Sequence, residues 1–279
     1  RFYDVKSKKT KFWLVMIYIA CFAIALIALY PVFWLACSSL KNLTEYLSTT
    51  QILPKNADWA GWVKTWNDFG FTKYYINSGI AVAGGVLCAI FFNGLMAYVL
   101  AVLKPKGHKI VLALVMWCLL IPPTTSFVAL FVNIKKIGLT GSFVPLWLTM
   151  GANAYWVILF KNYFESLPRD YIDAARIDGC SYAQTFFHIM VPQALPGIST
   201  AGVLAFLGFW NEYYWASLVI IDKKLMTIPS LMGQFQTSFS TNYNGMLSAI
   251  VIIMLPPIIV FCCFSKFFVK AMSGGAVKG

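Results

Sequence analysis

Six long apolar runs constrain this chain more than any other feature of its sequence. A helix needs about 20 predominantly apolar residues to cross the hydrocarbon core of a bilayer. The first run is too long for the core of a signal peptide, so we expect a retained span. The runs therefore predict an all-α, polytopic membrane protein, a single transmembrane domain over residues 1–279. The six predicted spans cover residues 12–39, 75–103, 110–132, 143–164, 198–221 and 245–269.

The charge balance supports a membrane protein and argues against a nucleic-acid partner. Only 11% of the 279 residues are charged, whereas soluble domains carry roughly a quarter. The formal net charge of +12 would suggest nucleic-acid binding in a soluble domain. Here the basic residues flank apolar spans, as orientation signals do. We therefore expect a lipid bilayer and no nucleic acid among the partners.

The distribution of lysine and arginine predicts the orientation. If the N-terminus is inside, the inner segments hold 14 of the 22 basic residues and the outer segments hold eight. An excess of Lys and Arg marks cytoplasmic segments. The bias places both termini and the polar segment 165–196 in the cytoplasm.

Two spans contain residues that predict special packing. Pro122 and Pro123 should bend or interrupt the third span, because proline breaks helical hydrogen bonding. Gly84 and Gly85 should let the second span approach a neighbouring helix closely. In the first outer loop, tryptophans at near-helical spacing predict a short helix that anchors at the membrane interface. These tryptophans are Trp59, Trp62 and Trp66.

The segment 165–196 is too polar to span and too structured to be a linker. Pro168 suits the first position of a helix, and Asp170 and Asp173 then complement the positive end of its dipole. Gly179 is a natural stop. The stretch Ser181–Gln184 has the spacing of a capping box, so a second helix should begin there. We expect that helix to run until Pro192, giving two helices joined by a glycine.

The same residues resemble a known family. Asp173-Ala174-Ala175, then Gly179, Ile189 and Val191-Pro192 are similar to the EAA loop of the membrane subunits of ATP-binding-cassette (ABC) importers. Aspartate replaces the usual glutamate at 173, and valine replaces leucine at 191. The ending 272–279 is similar to the tail of the carbohydrate branch, as in the smaller membrane subunit of the maltose-type importer. Without the resemblance, an amphipathic helix resting on lipid would be the default interpretation of the loop.

The resemblance implies a permease subunit and a set of partners. These are a second homologous membrane subunit, two ATPase subunits, an extracytoplasmic solute-binding protein and a sugar or oligosaccharide, in a bacterial or archaeal cytoplasmic membrane. The coupling loop would contact an ATPase subunit through Asp173, Ala174, Ala175, Arg176, Asp178 and Gly179. The tail 271–279, which we expect to be extended, would reach the ATPase subunits through Ser273, Gly274 and Gly275. The outer loop between spans five and six would reach the binding protein through Gly233, Gln234 and Gln236.

Polar residues inside apolar spans are candidates for the substrate pathway. A carboxylate near the middle of a span is costly, so Glu212 should face a cavity or a partner. An equally good interpretation puts Glu212 close enough to the outer surface to reach water. Weaker candidates lie in other spans. For the asparagines among them, hydrogen bonds between helices are the alternative interpretation. The candidates are Trp210, Asn211, Glu212, Asn153, Tyr155 and Asn93.

The sequence carries no sign of catalysis or of a cofactor. It contains no Gly-x-x-x-x-Gly-Lys-Ser/Thr phosphate loop, so ATP hydrolysis is expected on separate subunits. His108 and His188 lack a catalytic constellation, and no cysteine pairs with a histidine at metal-site spacing. We therefore expect no catalytic residue, no metal and no cofactor in this chain. The alternatives are an ABC permease for an amino acid, peptide or ion, an ion-coupled secondary transporter, and a membrane-embedded enzyme.

Overall fold

A computed structural model describes residues 7–232 and 243–276 of the chain, with the side chains of 244 and 267–276 outside the description. The described residues form helices and connecting turns, and no strand occurs among them. The prediction of an all-α architecture is therefore confirmed for this part of the chain.

The helices, in chain order, are numbered from the N-terminus. They are α1 (Lys8–Ser39), α2 (Leu43–Ser48), α3 (Trp59–Asp68), α4 (Phe71–Tyr98), α5 (His108–Cys118), α6 (Phe127–Lys136), α7 (Val144–Gly151), α8 (Ala154–Ser166), α9 (Asp170–Ile177), α10 (Tyr182–Gln184), α11 (Val191–Gln193), α12 (Leu195–Trp210), α13 (Tyr214–Val219) and α14 (Tyr243–Ala276). Two π-helical stretches, Val99–Leu103 and Thr185–Met190, continue α4 and join α10 to α11. A 3₁₀ turn, Pro123–Ser126, precedes α6.

Three described helices are long and apolar enough to cross a membrane without interruption. They are Lys8–Ser39, Phe71–Leu103 and Gly245–Lys266. Each coincides with one of the predicted spans. The most apolar stretch of the first is not buried inside the chain at all, whereas 39% of that of the second and 22% of that of the third are buried. A helix that is apolar on all sides needs lipid or another protein chain around it.

The other three predicted spans are interrupted. The expected break at Pro122 is present, and the helices on either side of it are bent by 94°. The run 143–164 divides into α7 and α8 at Ala152 and Asn153. The run 198–221 divides into α12 and α13, and α12 is bent by 79° from the helix before it. The last two breaks were not expected, although polar residues stand at both: Asn153 at one, and Asn211 and Glu212 at the other.

The described residues divide into two compact units, the first of which includes α1 to α3 and residues 243–254. Within it, the indole N–H of Trp62 and the hydroxyl of Ser248 both donate to the carbonyl oxygen of Ser39, at 3.1 Å. The short helix predicted from the tryptophan spacing is present as α3. An apolar cavity of about 260 Å³ is lined by Trp59, Trp62, Val63, Trp66 and Ile252.

The second unit is built around α4, which contacts α7, α8 and α12. A Cβ atom on Gly85 would lie 2.2 Å from the ring of Phe209, and one on Gly84 would lie 2.3 Å from the ring of Trp147. The close approach predicted for this glycine pair is therefore confirmed. Glycine permits α4 to take a bulky aromatic ring from each of two neighbouring helices.

Candidate functional site

Helix α9 lies in the segment that the sequence marks as a surface element. It begins at Asp170, just after Pro168, and carries Asp170 and Asp173 in its first turn and Arg176 in its last. Both charge placements stabilise the helix dipole. The predicted first helix of the segment is therefore present with the predicted acidic start.

A Schellman motif ends α9. The N–H of Gly179 donates to the carbonyl of Arg176 at 3.1 Å, and the N–H of Cys180 donates to the carbonyl of Ala175 at 2.9 Å. This pair of bonds requires a left-handed residue after the helix. Gly179 supplies it, with a φ of +72° and open space around the missing side chain. Gly179 is therefore the joint that the sequence predicted.

One face of α9 packs against the rest of the second unit, and the opposite face, the free face, is exposed to solvent or to a partner. Ala175 is only 1% exposed, and Ile172 packs against the hydrophobic core. By contrast Ile177 is 87% exposed and Tyr171 is 40% exposed. The remaining exposed residues of this face include Asp173, Ala174, Arg176, Asp178 and Gly179. Of the predicted coupling residues, Ala175 therefore faces inward and the other five face outward.

The second helix of the segment starts where predicted and ends within one residue of the predicted end. The hydroxyl of Ser181 accepts from the N–H of Gln184, and the Gln184 side chain accepts from the N–H of Ser181. The helix then widens into the π-helical turn Thr185–Met190 and continues past Pro192 to Gln193. The predicted end at Pro192 therefore lies one residue from the observed end.

An aromatic cluster under the two helices holds them in place. The ring of Tyr98 lies 5.1 Å from that of Phe186 and 6.3 Å from that of Phe164. The Tyr98 hydroxyl donates to the carbonyl of Tyr182 at 3.3 Å, which ties α4 to the start of the second helix. Phe160 and Met190, both fully buried, complete the base. These buried rings form an aromatic platform beneath α9, and the free face of α9 points away from it.

Charged side chains form ion pairs near α9, at the ends of α4 and α8 in the second unit. Lys161 contacts Glu165 at 2.7 Å, and Lys104 contacts Glu165 at 3.8 Å. Lys104 adopts a left-handed conformation with a φ of +47°, which ends the π-helical continuation of α4. These contacts place the end of α4 and the end of α8 side by side.

Glu212 lies in a break and not within a continuous helix. Its carboxylate accepts the N–H of Trp215 at 2.9 Å, so it stabilises the first turn of α13. The amide of Asn211 donates to the carbonyl of Leu207, and its side chain is exposed. Trp210 is buried, with its ring 5.9 Å from that of Tyr75. The interruption explains how a carboxylate is tolerated in this apolar run.

Asn153 and Tyr155 lie at the other break, between α7 and α8. The side chain of Asn153 accepts the N–H of Tyr155 and so caps α8. Its backbone N–H donates to the side chain of Asn93, whose amide also donates to the carbonyl of Met150 at 2.7 Å. Asn93 is buried and joins α4 to this break, as the alternative interpretation of the asparagines predicted. Tyr155 is half exposed.

Two buried polar residues at the start of α4 were not singled out in the sequence. The amide of Asn77 donates to the carbonyls of Lys224 and Met226, both at 2.9 Å. The hydroxyl of Ser78 accepts the N–H of Ile228 at 2.8 Å. Together they fasten the segment after α13 to the beginning of α4. An adjacent polar pair at the head of an apolar span was the available signal.

A small cavity adjoins this attachment. Its volume is about 10 Å³, which is close to the room needed for one water molecule. Ser78, Glu212 and Thr227 contribute polar groups to its lining. The cavity therefore connects the break at Glu212 with the attached segment.

The last two groups of predicted residues are those of the outer loop and of the C-terminal tail. Gly233, Gln234 and Gln236 lie outside the described residues. Ser273, Gly274 and Gly275 belong to α14, which continues to Ala276. The expectation of an extended segment from Ala271 was therefore wrong over residues 271–276. Among the described residues, no group of His, Cys, Asp and Glu side chains could hold a metal ion.

The chain matches one protein family and is similar to curated permease proteins. Residues 81–274 match the family described as "Binding-protein-dependent transport system inner membrane component". The chain is 30% identical to the probable ABC transporter permease protein YurM of Bacillus subtilis, covering 99% of this chain and 93% of that protein. It is also 30% identical to the arabinooligosaccharides transport system permease protein AraQ of the same organism, covering 92% of each.

A solved structure shows the same fold. It is a chain of a bacterial ABC transporter involved in the import of the acidic polysaccharide alginate, with a TM-score of 0.81 and 22% identity. The match covers 96% of this chain and 99% of that chain. On the family match over most of its length, this chain belongs to the inner membrane components of binding-protein-dependent transport systems, the permease subunits of ABC importers.

Proposed function

We propose that this permease carries a sugar or an oligosaccharide and works as one of two membrane subunits of its importer. The relative at 30% identity over 92% of the chain is named for arabinooligosaccharides, which supports a carbohydrate substrate. The other parts are a second homologous membrane subunit, two ATPase subunits that hydrolyse ATP, and an extracytoplasmic binding protein that delivers the sugar.

The observation that carries the proposal is the free face of α9. A coupling element must be rigidly attached to its own subunit and must present side chains to the ATPase. Ala175 and Ile172 supply the attachment, and the aromatic platform beneath them supplies the rigidity. The free face offers both charge, from Asp173 and Arg176, and apolar surface, from Ile177. Short helices with anchors of this kind bind into grooves of partner proteins.

Contacts within the second unit support the proposed sides of the membrane. Helix α4 with its continuation, Phe71–Leu103, is about 50 Å long and crosses the bilayer. At one end Lys104 pairs with Glu165, next to the coupling segment. At the other end Asn77 holds the segment Lys224–Met226. These contacts support the proposal that the coupling segment and the loop after α13 lie on opposite sides of the membrane, with six spans and both termini in the cytoplasm.

Three further assignments belong to the proposal. Gly233, Gln234 and Gln236 contact the binding protein and help to release its sugar. Ser273, Gly274 and Gly275, in the tail 271–279, contact the ATPase subunits. Trp210, Asn211 and Glu212 at one break, with Asn153 and Tyr155 at the other, contribute to the substrate pathway. The chain is one transmembrane domain over residues 1–279, with the coupling loop over 165–196.

Substitution of Gly179 tests the coupling surface. Gly179→Leu places a side chain on a residue with positive φ, which costs about 1–2 kcal/mol and should displace the end of α9. Gly179→Asn is the matched control, because asparagine tolerates this conformation. We expect the leucine variant to lose sugar-stimulated ATP hydrolysis or copurification with the ATPase, and the asparagine variant to retain both. Normal sugar uptake and stimulated hydrolysis in Gly179→Leu would refute this role of α9.

A further inference from the structure

A third break, between α5 and α6, interrupts the apolar surface of the second unit. Pro122 and Pro123 occupy the turn, and every residue from Leu119 to Ser126 is exposed. The surrounding surface is strongly apolar: Trp117 is 69% exposed, Leu120 is 80% exposed and Val128 is 76% exposed. A surface of this composition belongs inside the membrane, so the break lies there as well.

The break cannot face the acyl chains of lipids. Proline has no N–H, so the carbonyls of Cys118 and Leu119 lack the donors four residues ahead that an α-helix would supply. Irregular backbone at membrane depth is tolerated only where protein buries it or where it lines a water-filled cavity. The exposed face of this turn therefore contacts either water or another protein chain.

Three consecutive hydroxyl groups follow the prolines. The hydroxyls of Thr125 and Ser126 donate to the carbonyls of Pro122 and Pro123, at 2.7 and 2.8 Å. Their oxygens therefore remain available as acceptors. Within the described part of the chain, the Thr124 hydroxyl makes no side-chain hydrogen bond and can both donate and accept. This row of groups matches the hydroxyl edge of a sugar, which also donates and accepts.

The turn is held close to the break at Glu212. The ring of Phe127, directly after Ser126, lies 5.4 Å from the ring of Trp215. The N–H of Trp215 in turn donates to the Glu212 carboxylate. One aromatic contact therefore joins the two breaks. Asn211, next to Glu212 in the chain, is exposed.

We propose that Thr124, Thr125 and Ser126 line the translocation pathway. With Asn211 and Glu212, they form a polar contact site for a hydroxyl-rich substrate that moves along it. This inference rests on the proposed function. A water-filled pathway explains two observations at once: the row of exposed hydroxyls, and the carbonyls of Cys118 and Leu119 that lack helical donors.

Cysteine accessibility in the assembled transporter tests the proposal. In a chain whose seven native cysteines are replaced by alanine or serine, Thr124→Cys and Ser126→Cys would be treated in vesicles with a charged, membrane-impermeant methanethiosulfonate. We expect both to react, and to react severalfold more slowly when the sugar-loaded binding protein is saturating. Val128→Cys, on the apolar surface two residues beyond, is the control and should react only with a lipid-soluble maleimide.

Two outcomes overturn the assignment. One is that Thr124→Cys is as unreactive toward the charged reagent as Val128→Cys. The other is that it cross-links to the second membrane subunit and stays inaccessible to water, which makes the turn a subunit contact. A readout of transport separates this failure from failure of the proposed function. Thr124→Val should raise the KM for sugar uptake severalfold and Thr124→Ser should restore it, whereas a transporter that moves no sugar at all would contradict the substrate class.

Discussion

At the scale of single residues, the glycines of α4 show how strongly close packing depends on the absence of a side chain. A Cβ on Gly85 would overlap the Phe209 ring, whereas a Cβ on Gly79, in the same helix, would meet nothing within 4 Å. We expect Gly85→Ala to destabilise the protein by about 1–3 kcal/mol, as overpacking does. Gly79→Ala should be neutral or slightly stabilising, because alanine favours helix. Thermal unfolding in detergent measures both.

A double substitution separates overpacking from a general loss of helix contacts. If the Phe209 ring is the obstacle, Phe209→Leu should recover much of the stability lost in Gly85→Ala, because the two changes act on one contact. Strictly additive losses in the double variant would contradict this explanation.

Asn93 makes a separate prediction about buried polar groups. Its side chain serves the carbonyls of Ala89 and Met150 and the N–H of Asn153. Asn93→Leu would leave buried backbone groups without partners, at a cost of about 1–3 kcal/mol. Asn162→Leu makes the same chemical change at an exposed position of α8 and should have little effect on the unfolding temperature. Equal losses in the two variants would show that the hydrogen bonds of Asn93 do not matter.

At the scale of elements, α9 offers two adjacent alanines with opposite surroundings. Ala175 is buried and Ala174 is exposed. Ala175→Leu should lift α9 from the aromatic platform, lower the unfolding temperature of the subunit and weaken binding of the ATPase. Ala174→Leu should leave the unfolding temperature unchanged and weaken only ATPase binding, if the free face docks as proposed. Unfolding of the isolated subunit and copurification with the ATPase distinguish the two effects.

Element boundaries mark where the sequence was informative and where it was not. Gly179, Ser181 and Gln184 are chemically specific signals, because a left-handed joint and a capping box each require particular residue types. The joint and the cap were therefore predictable to the residue. The break at Glu212 was not, because the polar pair Asn211 and Glu212 is compatible both with a break and with a continuous span that faces a cavity. A carboxylate that caps a new helix looks the same in sequence as one buried in the middle of a span.

At the scale of the whole molecule, we expect α5 and α6 to cross the membrane as one broken span and not to enter and leave by the same side. Helix α5 is about 16 Å long, too short to cross a hydrocarbon core of about 30 Å by itself. Lys104, just before α5, pairs with Glu165 at the coupling end. Gly141, just after α6, donates its N–H to the carbonyl of Val219 at 2.8 Å. Val219 lies near the segment that Asn77 holds at the opposite end of α4, which favours a broken span.

Two exposed lysines allow this topology to be tested with two substitutions that change the charge of the chain equally. In the cysteine-free chain, Lys106→Cys and Lys136→Cys each remove one positive charge, one before α5 and one at the end of α6. If the pair is a broken span, an impermeant maleimide should label Lys136→Cys in intact cells and Lys106→Cys only in inverted vesicles. Labelling of both positions from one side would make the pair a re-entrant loop. Because Lys104 pairs with Glu165, the coupling segment lies on the same side as the start of α5. In a re-entrant arrangement α7 and α8 would then not cross the membrane either. The chain would have four spans in place of six.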